Sequence, residues 1–362
     1  MFDSPVRASS RAGPAGDPSD PPEVVQADDL VAFARDLLIG QGTPEPAATA
    51  VAESLVDSDL AGHDSHGVRR LLPYSDFVSA GQLDPAAEPE LIEPSGATAV
   101  VDGNRCFGQL AARLATDTVA RLAREHGAAA VVVRRAGHVG RLGEYTAALA
   151  ESDLVGLSVC NSDPTVAPHG GRERRLGTNP LSLAVPRGEG RPPIVMDWAT
   201  SAVAEGKLQM SLARGEQAPP GAVVDSEGRP TTDPADFYDG GALLPFGAHK
   251  GYGLSVLIEL LGGLLSGAGI SSLPGYDETN GMLIVALEIE RFGDPATFRE
   301  RAEAFCAVLA QTAPAEGASG VLVPGEPEAR VAAERGRDGI PVPASIWRAL
   351  GELRETTGRE RQ

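Results

Sequence analysis

The stretch Ala61-Gly62-His63-Asp64-Ser65-His66-Gly67-Val68-Arg69-Arg70 gathers two imidazoles, a carboxylate, a hydroxyl and two guanidinium groups. The chain has only six histidines, at 63, 66, 126, 138, 169 and 249, so two of them fall in this stretch. An imidazole with a pKa near ~6.5 exchanges a proton at neutral pH. Arg70, one helical turn past His66, can grip a carboxylate through two parallel hydrogen bonds. A proton donor beside a carboxylate clamp suits a 2-oxo or 2-hydroxy acid. Two other readings stand beside this one. The stretch is a polar helix junction without chemistry, or His63, Asp64 and His66 ligate a metal for hydrolysis. No third histidine stands at familiar zinc spacing, which weighs against the metal.

The elements around this stretch are legible from periodicity. Residues 27–40 read as a helix, and Thr43-Pro44 opens a second one, with Thr43 as N-cap, that stops near Gly62. His63 and His66 therefore lie at or just past a helix end. Residues 69–78 read as helix, 97–102 as strand, 109–126 as helix and 128–133 as a β-branched strand. Gly137-His138-Val139-Gly140-Arg141-Leu142-Gly143 follows, a glycine-rich turn between strand and helix that can offer backbone N–H groups to an anion. Its spacing is not the G-x-G-x-x-G of the dinucleotide fold. Strands follow at 154–160, 181–185 and 194–198, and Thr200 or Ser201 caps the helix that carries Lys207.

Residues 214–246 are rich in Pro, Gly and Asp and read as a long ordered loop. Gly247 to Ser266 opens a helix apolar nearly all round, expected in the core, with Lys250 at its amino end. Lys207 and Lys250 are the only lysines in a chain with 31 Lys and Arg, and each sits beside a glycine. A strand at 282–287, a helix at 298–309, a short strand at 321–323 and two terminal helices complete the chain. Alternating strands and helices give an α/β architecture with one sheet through 128–198 and 282–287. Helices from both chain ends form a separate layer.

The 362 residues carry a net charge of −19 and no basic footprint, which argues against a nucleic-acid or anionic-membrane partner. Three widely spaced cysteines, Cys106, Cys160 and Cys306, give no disulfide framework and fit a reducing, cytoplasmic setting. No apolar run reaches membrane-span length. Residues 1–22 read as a disordered leader. Three parts are expected beyond it: a helical part over 23–105 carrying His66, a cofactor-binding α/β part over 106–310, and a segment over 311–362 that packs back on the first.

A set of motifs in fixed order resembles one family. They are Ser65-His66-Gly67-Val68, the loop around His138, Gly177-Thr178-Asn179-Pro180, Asp197-Trp198-Ala199-Thr200-Ser201, Thr232-Asp233-Pro234, His249 to Leu254, and Pro324-Gly325-Glu326. Together they resemble the malate/L-lactate dehydrogenase family, which also includes ureidoglycolate, sulfolactate and diketogulonate enzymes. Residues 140–145 and 240–247 look most like its hydroxycarboxylate dehydrogenase branch.

The resemblance implies a non-Rossmann α/β fold with a mixed sheet, as in sulfolactate dehydrogenase, and NAD or NADP as cofactor. It also implies a homodimer with cofactor sites near the subunit interface. It implies that His66 exchanges the proton with the substrate oxygen and that His138 is a second imidazole in the pocket. Ser65, Arg70 and His138 are then substrate residues. Ser162, Gly177, Thr178, Asn179, Asp197, Ala199, Thr200, Ser201, Lys250, Gly251, Gly325 and Glu326 match cofactor positions, and no metal is expected. Asp197 either orients an imidazole or meets the ribose. Trp198 stands where Met is usual, Ala136-Gly137 where Asn-Ser is more frequent, and Ala248 where Gly is common.

The expected reaction moves a hydride between nicotinamide and C2 of a 2-oxo acid. A cyclic imino-acid or N-alkyl imine reductase would use the same residues, and a non-catalytic nucleotide-binding protein is the reading without chemistry. The Arg172 to Arg175 cluster meets either a 2′-phosphate or solvent.

Overall fold

The computed structural model of the chain describes residues 21–276 and 278–359. The leader expected over 1–22 falls almost wholly outside them. A seven-stranded sheet runs in the spatial order 90–95, 98–102, 128–136, 280–288, 154–160, 181–185, 194–198. Only Thr98–Asp102 and Ala128–Ala136 pair in parallel; every other neighbouring pair in it is antiparallel. This mixed sheet is not the parallel, doubly wound sheet of the dinucleotide fold.

Alternation sets one face of the sheet. Val131, Val133, Met282, Ile284 and Ala286 are buried against the helix Gly108–His126, whose Ala111, Ala115, Val119 and Leu122 lie on one stripe. That helix stops where Gly127 takes the left-handed conformation, φ 89°.

A helical layer stands beside the sheet. The helices Ala27–Gly40, Glu45–Leu60 and Leu71–Ser79 share a core with the C-terminal helix Ala344–Arg359 through Leu30, Leu37, Leu55, Leu71, Ile346 and Leu350. Strand Glu23–Val25 pairs antiparallel with Ile340–Val342, so the two ends of the described chain are joined by backbone hydrogen bonds.

Five expectations are corrected. The second helix begins at Glu45, and Thr43 makes no cap. Thr200 and Ser201 do not cap Glu205–Arg214: their hydroxyls are taken by the carbonyls of Thr178 and Val203. Residues 214–246 fold into a small three-stranded sheet of 223–224, 230–231 and 242–243 with a short helix Pro234–Tyr238. Residues 321–323 form no strand, because the Val323 N–H is taken by the Glu326 carboxylate and Pro324 follows.

The fifth concerns the apolar helix. It runs as α-helix over His249–Ile258 and as a π-helical turn over Glu259–Leu264. Only one side of it is core: Leu257, Leu260, Leu261, Leu264 and Leu265 are exposed, Leu265 at 60%. Apolar composition marks a face to be covered, without saying whether the cover comes from the same chain.

Candidate active site

The His66 loop is two 3-10 turns, Asp64–His66 and Val68–Arg70, hinged at Gly67. Asp59, near the end of the preceding helix, lies under the hinge and accepts the Val68 N–H at 2.8 Å. A Cβ on Gly67 would stand 1.7 Å from the Asp59 carboxylate oxygen, so only glycine fits there. Burial pushes the Asp59 carboxyl up to about 8, against the Val68 hydrogen bond that lowers it. From the other side Arg335 bonds both the Asp59 carbonyl and the Asp64 carboxylate. Asp64 therefore serves an ion pair, and His63 turns to Glu328 at 3.8 Å. Gly206 closes the clamp: a Cβ there would lie 2.4 Å from the Ser65 Cβ.

His66 and His138 face each other as stacked rings, centroids 5.3 Å apart. His66 Nδ1 lies 3.0 Å from the Ser65 hydroxyl. His138 Nδ1 lies 2.9 Å from the Tyr74 hydroxyl, which accepts a hydrogen bond from Gln109 Nε2 at 2.8 Å. Because that oxygen accepts from Gln109, its single proton goes to His138, which leaves the His138 proton on Nε2.

Burial first, then the charge of Arg70, lowers both imidazoles: His66 to about 3, and His138 well below its usual range. Arg70 makes no ion pair among the described residues, and its Nε is buried without a partner. With the Tyr74 hydroxyl beside it and no carboxylate of the described chain paired to it, this guanidinium next to two neutral imidazoles can seat a carboxylate.

These groups open on a cleft of about 1460 Å³ lined by His66, Arg70, His138, Ser162, Thr178, Asp197, Trp198, Ala199 and Ser201. Ser65 lines it as well, with Arg141, Asp163, Glu205, Lys207 and the apolar side of the C-terminal helix at Ile346 and Leu353. Asp197 accepts the Gly143 N–H at 2.6 Å, and burial raises its carboxyl to about 6. The glycine-rich turn thus binds the chain's own carboxylate, and that hydrogen bond goes to neither imidazole. Asp163 is also raised to about 6, by burial, and accepts the Tyr276 hydroxyl at 3.1 Å.

The other sequence-selected residues stay off the cleft surface. Thr200 is buried and bonds the Thr178 carbonyl through both its N–H and its hydroxyl. Asn179, fully buried at φ 37°, donates to Ser255 and Glu259, and a Cβ on Gly177 would strike Ser162. These three hold Ser162 and Thr178 in place. Lys250 is exposed and outside the cleft, while Gly251 is buried under the Phe246 carbonyl. Gly325 backs onto Val195, and Glu326 pairs with Arg187 at 3.3 Å. Of the arginine cluster only Arg175 reaches the cleft; Arg174 lies over the Phe237 ring and bonds the Gly241 and Phe237 carbonyls.

Sequence reasoning missed Asp59, Tyr74, Gln109, Arg141 and Glu205. No local signal separates Asp59 from Glu53 and Asp57 of the same helix.

At about 1460 Å³ the cleft exceeds the ~300–1,000 Å³ of ordinary small-molecule sites, which leaves room for a nicotinamide dinucleotide. It offers the Ser162 and Thr178 hydroxyls 3.2 Å apart, Lys207 and Arg175 for phosphate charge, and the half-exposed Trp198 ring for stacking. The unpartnered Arg141 Nε points to a missing acceptor as well.

Fold and site together define an oxidoreductase with a mixed-sheet core. The family model for malate/L-lactate dehydrogenase matches residues 25–351. The chain is 39% identical over 332 residues to L-lactate dehydrogenase of Cupriavidus necator, covering 90% of this chain and 95% of that one. It is 35% identical over 341 residues to hydroxycarboxylate dehydrogenase B of Escherichia coli K12, covering 92% and 94%. The solved structure of sulfolactate dehydrogenase from Methanocaldococcus jannaschii superposes with a TM-score of 0.84 at 32% identity, covering 92% and 98%. The chain belongs to the malate/L-lactate dehydrogenase family, and it is an oxidoreductase of the hydroxyacid dehydrogenase class.

Proposed function

We propose that the chain reduces a small 2-oxo acid, and oxidises the matching 2-hydroxy acid, with NAD or NADP bound along the wall that runs from Ser162 to Ser201. The observation that carries this is the unpaired Arg70 beside the stacked His66 and His138. When bound, the nicotinamide supplies the hydride.

The chain supplies everything else. Arg70 holds the substrate carboxylate, and His138, with its proton fixed on Nε2, donates a hydrogen bond to the substrate oxygen. His66 gives that oxygen the proton it needs to become a hydroxyl, and takes it back in reverse; general acid catalysis of this kind contributes about 10²–10⁴-fold.

Free His66 is held neutral, since burial and then Arg70 disfavour its charge. Binding undoes only the second of these causes: a bound carboxylate neutralises Arg70 and moves the His66 pKa upward. Substrate binding therefore favours proton uptake at His66. Serine at 65 permits it, because a hydroxyl can donate to Nδ1 or accept from it.

The exposed leucines at 257, 260, 261, 264 and 265 supply the face for a homodimer, since contiguous apolar surface of this kind marks an interface. Lys250, at the start of the same helix, then reaches the cofactor from across that interface. Three buried free cysteines fit a cytoplasmic setting. Among the described residues no helix is long and apolar enough to cross a membrane.

The test is a panel of pyruvate, oxaloacetate, phenylpyruvate and a cyclic imino acid, each with reduced NAD and reduced NADP, on wild type and His66→Ala. Turnover of an oxo acid that the substitution abolishes supports the reading. Turnover confined to the imino acid transfers the site to an imine reductase, and unchanged turnover in His66→Ala removes His66 from the role.

A further inference from the structure

The π-helical turn Glu259–Leu264 presses on the end of the strand Leu154–Cys160. Turns of this kind are rare inside helices and recur at functional sites. Here the contact is backbone-close: a Cβ on Gly262 would lie 2.8 Å from the Asn161 nitrogen, and one on Gly263 2.2 Å from the Gly269 carbonyl oxygen. That seat carries Glu259, 3% exposed, into the protein. Its carboxylate accepts from Asn179 Nδ2 at 2.8 Å, from the Ser271 N–H at 2.6 Å and from Asn161 Nδ2 at 3.4 Å.

Neither amide is free to turn over. Asn179 Oδ1 accepts the Ser162 N–H, and Asn161 Oδ1 accepts the Gly281 N–H. All three partners of Glu259 are therefore fixed as donors. Each stands at the root of a segment that walls the cleft: Asn161 before Ser162–Thr165, Asn179 after Thr178, and Ser271 at the head of Ser271–Tyr276.

We propose that Glu259 is a positioning residue for cofactor binding, one buried acceptor that holds three cleft-wall segments in register. The role rests on the reading that this wall takes the nicotinamide dinucleotide. Glu259→Gln keeps the size and shape but turns an NH2 group against a fixed donor. The wall then loosens while the His66–Arg70 side stays as it is.

The experiment uses full-length protein and measures equilibrium binding of reduced NAD and reduced NADP by nicotinamide fluorescence. Thermal unfolding and hydrogen exchange over 271–276 are followed alongside. Glu259→Gln should raise Kd about tenfold through the lost, now repulsive, hydrogen bond. Turnover at saturating cofactor should stay within about twofold of wild type, the pattern of lost binding without lost chemistry. Exchange at Ser271 should quicken in the free protein.

Leu149→Ala, in the core on the helix Leu142–Glu151, is the control for plain destabilisation and should leave Kd unchanged. Glu259→Asp, which withdraws the acceptor by one methylene, serves if the Gln variant does not fold. A Kd unchanged in either folded Glu259 variant, or one raised equally by Leu149→Ala, overturns the role. A wild-type chain that binds neither dinucleotide overturns the functional reading and this role with it.

Discussion

His66 and His138 stack on one another, yet the two regions that deliver them are built in opposite ways. His66 rides a short loop clamped from afar, by Asp59 below Gly67, by Arg335 on Asp64 and by Gly206 against Ser65. Its own nitrogen meets only a neighbouring hydroxyl, which can reverse its direction. His138 follows a central strand, and a relay from Gln109 through Tyr74 fixes its proton on Nε2. The backbone under His66 is rigid and its protonation free, whereas at His138 the protonation is rigid. One ring is built to change charge and the other to stay a donor.

The sharpest way to break this contrast is to delete each ring's function. His66→Ala should lower turnover by about 10²–10⁴-fold and leave cofactor binding nearly intact, measured by steady-state rates and fluorescence titration. A loss of the same size from Tyr74→Phe would make the two rings equivalent. Instead Tyr74→Phe should cost about tenfold in turnover, because it removes one hydrogen bond from His138 and strands the Gln109 amide.

Gly67→Ala tests the clamp rather than the ring. Its Cβ cannot share space with the Asp59 carboxyl, so the loop must shift. The expected cost is about 1–3 kcal/mol of stability by thermal or urea unfolding, with turnover falling alongside. Full activity with unchanged stability would show that the hinge tolerates movement.

Asp59 gives an effect that is read by its sign. Its folded carboxyl titrates near 8, while the unfolded one titrates near ~3.9. Between these values the folded state holds the extra proton, so this group's contribution to stability falls as pH rises from about 4 to 8. Asp59→Asn keeps the acceptor for Val68 and removes the titration. Its melting temperature relative to wild type should rise from pH 5 to pH 8. His66 runs the other way, since its folded pKa near 3 lies below the unfolded ~6.5, and its contribution is lost as pH falls through that window. His66→Ala should flatten the acid side only.

Much of the sheet was legible because β-branched runs such as 131–133 sit between turn signals, here Gly127 and Gly137. The cleft residues His66, Arg70, His138, Ser162, Thr178 and Asp197 were legible as motif positions. What stayed hidden depends on partners far apart in sequence: Tyr74 lies 64 residues from His138, and Gln109 lies 35 from Tyr74. No local pattern encodes such a pairing. Asn179 and Thr200, expected at the cofactor, lie buried behind Ser162 and Thr178, and sequence does not tell a residue that touches a ligand from one that holds its neighbour. The helix after His249 failed for a related reason, since a leucine reads the same toward its own core and toward another molecule.

The antiparallel pair of 23–25 with 340–342 brings the C-terminal helix back across the molecule, so that Ile346 and Leu353 face the cleft. The helix Ala344–Arg359 is therefore one of the walls of the cleft. Without residues 340–359 the chain would keep its seven-stranded sheet, both imidazoles and the arginine, and still have a breach open to water. Affinity handles and fluorescent fusions belong ahead of residue 21, where they leave that closing piece alone.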